Sequence, residues 1–252
     1  MNSNLTKVAI VTGGASGIGK CTSQKFADAG MAVVIGDLNR KDGEQFALDI
    51  REAGGQALFI ETDVSQPEAS EHLVKSAVSE FGRLDIAVNN AGIQGEQAKL
   101  ADYPDDAWSQ IMGINLSGVF YGMKHQIKAM LKNESGGAIV NVASILGQVA
   151  FSGSCGYVTT KHGVIGLTQT AALEYSRKGI RINSVGPGFI STPLISHIEE
   201  DDKIREMLIS KHPIGRLGKP EEVAELIYWL CSDMASFVTG AYYPVDGGYL
   251  AQ

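Results

Sequence analysis

Six short, nearly continuous apolar runs recur along this chain, each separated from the next by a stretch long enough for a helix. The runs are Val8–Val11, Val33–Ile35, Ala57–Ile60, Ile86–Asn89, Ala138–Val142 and Ile182–Val185. None has the strict apolar–polar alternation of a strand with one wet face, so they predict strands covered on both sides. The stretches between them, near residues 18–29, 41–53, 67–81, 105–132 and 157–178, read as helices. Strand then helix, repeated, predicts an α/β fold: a doubly wound parallel sheet with right-handed crossovers and helices on both faces. A later helix begins at Pro220, carries Glu221 and Glu222 in its first turn as the helix dipole favours, and runs to Cys231. A last short strand is expected near Tyr243–Val245, followed by the turn Asp246-Gly247-Gly248. With no internal repeat and no Pro/Ser-rich linker, residues 1–252 are expected to form a single domain.

The least regular segment runs from Gly188 to Gly218. Long loops that interrupt a regular pattern are often functional, so a substrate loop or lid is expected near 189–215. Leu194, Ile195, Ile198 and Met207 are its candidates for an apolar wall, and Glu199–Lys203 its solvated part.

Composition narrows the function by exclusion. Lys and Arg number 21 against 28 Asp and Glu, a net charge of −7, which argues against nucleic acid or an anionic membrane as partner. No apolar run approaches the roughly 18 residues that span a bilayer, and Met1–Lys7 has no apolar signal core, so a cytoplasmic protein is expected. Cys21, Cys155 and Cys231 form no CxxC pair, and the five histidines have no metal-ligand spacing. Neither a disulfide framework nor a metal site is expected.

The first run ends in Thr12-Gly13-Gly14-Ala15-Ser16-Gly17-Ile18-Gly19, and a helix follows at once. Glycines at 13, 17 and 19 permit a tight turn and close approach to a pyrophosphate, which would sit at the positive end of that helix. A glycine cluster alone is weak evidence; its place between the first strand and the first helix gives it weight. Asp37 lies just past the second strand, eighteen residues after Gly19, where a carboxylate can accept hydrogen bonds from ribose hydroxyls. Its charge repels a 2′-phosphate, which favours NAD(H) over NADP, although Arg40 and Lys41 nearby could soften the preference. Asp63-Val64 and Asn89-Asn90-Ala91-Gly92 follow the third and fourth strands, on the edge where open α/β sheets bind ligands. Ala91 and Gly92 are small enough for a flat cofactor to lie against the chain.

After the fifth strand comes Ser144, with Tyr157 thirteen residues further on and Lys161 four beyond that. Residues four apart on a helix share a face, so Tyr157 and Lys161 would address one space. A phenol with a pKa of about 10 is a poor base at neutral pH. A nearby ammonium, together with oxidised nicotinamide, would favour the phenolate. Ser144 could hold a substrate oxygen against the Tyr157 hydroxyl. Gln94, Phe151, Ser154 and Phe189 flank these segments and are candidates for the substrate pocket.

Thr-Gly-x-x-x-Gly-x-Gly, Asp37, Asn-Asn-Ala-Gly, Ser144, Tyr157-x-x-x-Lys161 and Pro187-Gly188 appear in order and at fitting spacing. In this the chain resembles the short-chain dehydrogenase/reductase family over nearly its whole length. The resemblance implies a seven-stranded Rossmann sheet and hydride transfer between NAD(H) and a secondary alcohol or ketone, with Tyr157 as acid/base. It also implies that Asn115, in Gly113-Ile114-Asn115-Leu116 within the long helix, joins the catalytic group by binding a water that links Lys161 to solvent. Lys161 would further hold the nicotinamide ribose, Tyr157 would also touch the cofactor, and Pro187, Gly188, Ile190 and Thr192 would receive the carboxamide. A homotetramer is implied, through helices 105–132 and 157–178 and the last strand. The tail Asp246–Gln252 is similar to that of family tetramers in which it supports an interface magnesium ion; packing on a neighbour without metal is the simpler expectation.

Two rival functions remain open at this point. A 3-oxoacyl-[acyl-carrier-protein] reductase shares the overall pattern, but such enzymes usually take NADPH and need basic surface for an acidic carrier. Asp37 and the acidic balance count against it. A dinucleotide-sensing protein that lost the chemistry is disfavoured by the intact Asn115, Ser144, Tyr157 and Lys161.

Overall fold

Successive side chains of a strand point to opposite faces, and here both faces are covered, which is why the apolar runs are unbroken. In β1 (Val8–Thr12), Val8 and Ile10 enter one hydrophobic cluster while Ala9 and Val11 enter the other. The computed structural model describes residues 6–195 and 201–252. Its strands continue with β2 (Ala32–Asp37), β3 (Gln56–Glu61), β4 (Ile86–Asn89), β5 (Gly137–Val142), β6 (Ile180–Pro187) and β7 (Tyr242–Val245). All seven pair in parallel, in the order β3-β2-β1-β4-β5-β6-β7.

The helices are α1 (Gly17–Asp28), α2 (Arg40–Glu52), α3 (Pro67–Phe81), α4 (Asp105–Met112), α5 (Gly118–Met130), α6 (Cys155–Tyr175), α7 (Asp202–Ser210) and α8 (Pro220–Cys231). One cluster joins Leu73 of α3, Met123 of α5 and Val164 of α6 to Ile10, Ile139 and Ile182 of the sheet. The opposite cluster joins Phe26 of α1, Phe46 of α2 and Leu230 of α8 to Val11, Val33, Val140 and Val185. This is the single-domain, doubly wound Rossmann architecture expected. The chain runs outward from β1 to β3 and then returns to β4 on the other side of β1. The carboxyl ends of β1 and β4 therefore flank the crevice where such sheets bind ligands.

Two expectations need correction. Residues 105–132 are not one regular α-helix: α4 and α5 are joined by a π-helical turn over Gly113–Ser117. The wider turn sets Asn115 inward, and a Cβ at Gly118 would stand 2.9 Å from the Val64 side chain. The helix expected over 157–178 starts earlier, at Cys155, and ends as a 3-10 turn over Ser176–Lys178 before the left-handed Gly179. Within Gly188–Gly218 the described residues form a 3-10 turn at Pro193–Ile195 and helix α7, capped by the Asp201 carboxylate. His197, Ile198, Glu199 and Glu200 lie outside the described residues.

Candidate active site

The glycine-rich turn needs its glycines for two separate reasons. Gly13 and Gly17 have φ of +60° and +49°, a region side chains avoid. At Gly19 the constraint is space, because a Cβ there would collide with the Gly13 carbonyl oxygen. The turn leads into α1 without a side-chain cap on Ser16, so the first N–H groups of the helix face the groove with their positive dipole end. Asp37 is fixed at the end of β2: one carboxylate oxygen accepts the Ala15 N–H at 3.0 Å, the other the Asn39 N–H at 3.0 Å. Gly13, Ser16, Gly17, Ile18, Asn90, Ala91, Gly92 and Thr192 line a groove of about 180 Å³ along this edge. A bare cradle of helix N–H groups, with a carboxylate anchored to the same turn at the end of β2, fits a dinucleotide.

Two of the expected cofactor residues hold turns at this edge of the sheet. Asn90 donates its amide hydrogens to the Thr12 and Gly13 carbonyls, both at 3.0 Å, and stitches the end of β4 to the end of β1. Asp63 accepts from the Ser65 N–H and hydroxyl, closing the turn after β3, while Val64 is buried against α5. Thr12 completes the stitch, its hydroxyl accepting the Asn90 and Ala91 N–H groups. In the sequence Thr12 stands only as the first residue of the motif, and its place opening the glycine turn is the one trace of this role.

Further along the edge, β5 delivers Ser144 and α6 delivers Tyr157 and Lys161. The Lys161 ammonium, almost wholly buried, donates to the Val142 carbonyl at 2.8 Å and stands 5.4 Å from the centre of the Tyr157 ring. Asn115, fully buried, forms a reciprocal pair with Ile93: its side chain accepts the Ile93 N–H and donates to the Ile93 carbonyl, each at 2.8 Å. A Cβ on Gly92 would stand 3.2 Å from the Asn115 oxygen and 3.8 Å from the Lys161 nitrogen, so these groups converge at one place. Burial pushes the Tyr157 phenol above its ordinary pKa, against the expected depression, and the hydrogen bond with Ser144 pulls the other way. Burial also lowers Lys161, to about 8.

Behind this cluster lies a buried amide chain that the sequence reading did not find. Asn89 donates to Gln126 and to Asn141, and Asn141 donates to Thr168 at 2.9 Å, tying β4, β5, α5 and α6 together. Asn89 and Asn141, polar residues inside apolar runs, were the available signal. Tyr242 of β7 was also missed; its hydroxyl donates to the Ser144 carbonyl at 3.0 Å, and nothing local in the sequence marks it.

A cavity of about 140 Å³ adjoins Ser144 and Tyr157 and is lined also by Pro187, Gly188, Ile190 and Thr192. Of the expected pocket residues it includes Gln94 and Phe189, and of the expected apolar wall Leu194 and Ile195. Phe151 reaches it only through its edge contact with Phe189, at 6.4 Å between ring centres. Ser154 is buried at the start of α6, where it bridges to Ala98, and Met207 is exposed on α7. Phe189 is held from behind: its N–H donates to His212 Nε2 at 3.3 Å, and His212 Nδ1 bonds the Leu208 carbonyl, which assigns the ring proton to Nδ1.

The sequence profile described as "Enoyl-(Acyl carrier protein) reductase" matches residues 13–250. The chain is 47% identical over 246 residues to cyclohexanol dehydrogenase of Acinetobacter sp. (strain SE19), covering 98% of this chain and 96% of that one. It is 46% identical over 245 residues to cis-4-hydroxycyclohexanecarboxylate dehydrogenase of Sinomonas cyclohexanicum, covering 97% of each. A 3-oxoacyl-[acyl-carrier-protein] reductase, FabG of Thermotoga maritima, is 39% identical over 242 residues, covering 96% and 97%. Among solved structures, gox2181 superposes with a TM-score of 0.95 at 34% identity, covering 98% of this chain and 96% of that one. The chain belongs to the short-chain dehydrogenase/reductase family, oxidoreductases that use a nicotinamide dinucleotide. Among the described residues, no helix is long and apolar enough to cross a membrane.

Proposed function

We propose that this protein is an NAD(H)-dependent dehydrogenase that interconverts a small alicyclic secondary alcohol and its ketone. The observation that carries the reading is the meeting of Ser144, Tyr157 and the anchored Lys161 on a small, mainly apolar cavity beside Pro187–Ile190. A bound nicotinamide supplies the hydride acceptor or donor. In oxidation, Tyr157 takes up the hydroxyl proton of the substrate, and Ser144 donates a hydrogen bond to the same oxygen. The Ser144 hydrogen bond works against the effect of burial on the phenol, and the Lys161 ammonium, 5.4 Å from the ring centre, would add to it by favouring the anion. One of its N–H groups is engaged by Val142, which leaves two for the ribose hydroxyls of the dinucleotide. Asn115 gives its side-chain amide to Ile93, which ties the segment after β4 to the π turn beside Lys161, where the family's relay water would sit.

NAD is favoured over NADP because the fixed Asp37 carboxylate repels a 2′-phosphate, while the Arg40 guanidinium is engaged by Glu44 at 2.8 Å. The same two features, with the net charge of −7, disfavour a carrier-protein reductase. An alicyclic substrate is supported by the names of the two relatives reported above at 47% and 46% identity. The segment 189–215 supplies Leu194 and Ile195 to this cavity, the part we assign to a lid. The test is a panel of ring and open-chain secondary alcohols with NAD and NADP in parallel. Turnover of ring alcohols with NAD at least about tenfold above NADP is expected, since a tenfold preference needs only about 1.4 kcal/mol. NADP preference, or turnover of carrier-bound acyl substrates alone, would contradict it.

A further inference from the structure

Most polar side chains on the cavity are already engaged. Asn90 is bonded to Thr12 and Gly13, Lys161 to Val142 and Thr192 to Ile190; Ser144 and Tyr157 address the reacting oxygen. The exception is Gln94, half-buried on the cavity wall, whose amide bonds to no described residue. The cavity it lines is walled largely by apolar side chains, Ile93, Ile145, Leu146, Leu194 and Ile195 among them, so Gln94 adds a donor and an acceptor to a mainly apolar wall. The one cation among the described lining residues is Lys161, already placed beside Tyr157.

We propose that Gln94 recognises a second, uncharged polar group on the substrate ring, so that ring diols and hydroxyketones are preferred over ring alcohols with a single oxygen. This rests on the ring-alcohol reading above and deepens it. An amide donates to a carbonyl and accepts from a hydroxyl, so both kinds of second group are served. A carboxylate is served less well, because Lys161 is the one cation among the described lining residues and already stands beside Tyr157. Sites built to hydrogen-bond a substrate group discriminate against analogues lacking it, because the protein group is then left unpaired.

The test compares kcat/KM for cyclohexanol with that for the isomeric cyclohexanediols, in the wild type and in Gln94→Leu and Gln94→Glu. The wild type should favour its best diol by roughly tenfold, the size of one well-made hydrogen bond. Gln94→Leu should erase that preference, lowering kcat/KM for the diols by roughly tenfold more than for cyclohexanol, with an unchanged urea midpoint reporting an intact fold. Gln94→Glu, which accepts but cannot donate when ionised, should retain the diols and lose a hydroxycyclohexanone read through its carbonyl. Parallel changes for cyclohexanol and diols, or none, would overturn the assignment of Gln94 alone. No turnover of any ring alcohol by the wild type would overturn the parent reading with it.

Discussion

Lys161 is a base held almost wholly out of water, and its pKa of about 8 records the cost of burying its charge. Because the folded value lies below the ordinary 10.5, the unfolded chain binds the proton more tightly across that interval. The penalty is therefore present in full below pH 8 and is relieved as pH rises from 8 towards 10.5. The stability of the wild type relative to Lys161→Met should rise across this window, by on the order of a few kcal/mol. Urea midpoints at pH 7 and pH 10 measure it, and a pH-independent difference would contradict the assignment. Cys231 behaves oppositely in chemistry though not in cause: burial pushes its thiol up to about 12, so it should resist alkylation by iodoacetamide at neutral pH. Rapid labelling of Cys231, read by peptide mass, would contradict that.

At the scale of elements, the geometry of the proposed acid/base group depends on β5 and α6 keeping their register. Asn141 on β5 and Thr168 on α6 are linked at 2.9 Å within the buried amide chain. Asn141→Ala leaves the Asn89 amide without that acceptor in a dry setting, which should cost about 1–3 kcal/mol in urea unfolding. An unchanged midpoint would show that the chain contributes nothing. Strands and most helices were legible in the sequence because two-sided burial makes unbroken apolar runs. The π turn was not, since Gly113–Ser117 keeps a helical pattern and departs from it only through the contacts of Asn115 with Ile93 and of Gly118 with Val64. Pairings such as Tyr242 with Ser144 join residues 98 apart and leave no local trace. The positions of Ser144, Tyr157 and Lys161 were legible because strand ends and helix faces set them; whether Ser154 or Phe151 reached the pocket depended on loop paths that periodicity does not encode.

For the whole molecule, the homotetramer implied by the resemblance has apolar surface to bury. Phe120 and Leu131 on and beside α5, Leu173 on α6, and Phe237 ahead of β7 are exposed. Sedimentation should give a mass near four chains, and Leu173→Glu should lower it; a wild-type monomer would contradict the proposal. In the function proposed above, one edge of the sheet joins a dinucleotide groove to a separate acid/base group. Tyr157→Phe tests it most directly, because it removes one oxygen from the cavity and none from the groove. NADH binding, followed by its fluorescence, should remain within about twofold, while turnover of a ring alcohol should fall by at least about a hundredfold. Near-normal turnover by Tyr157→Phe would contradict the account.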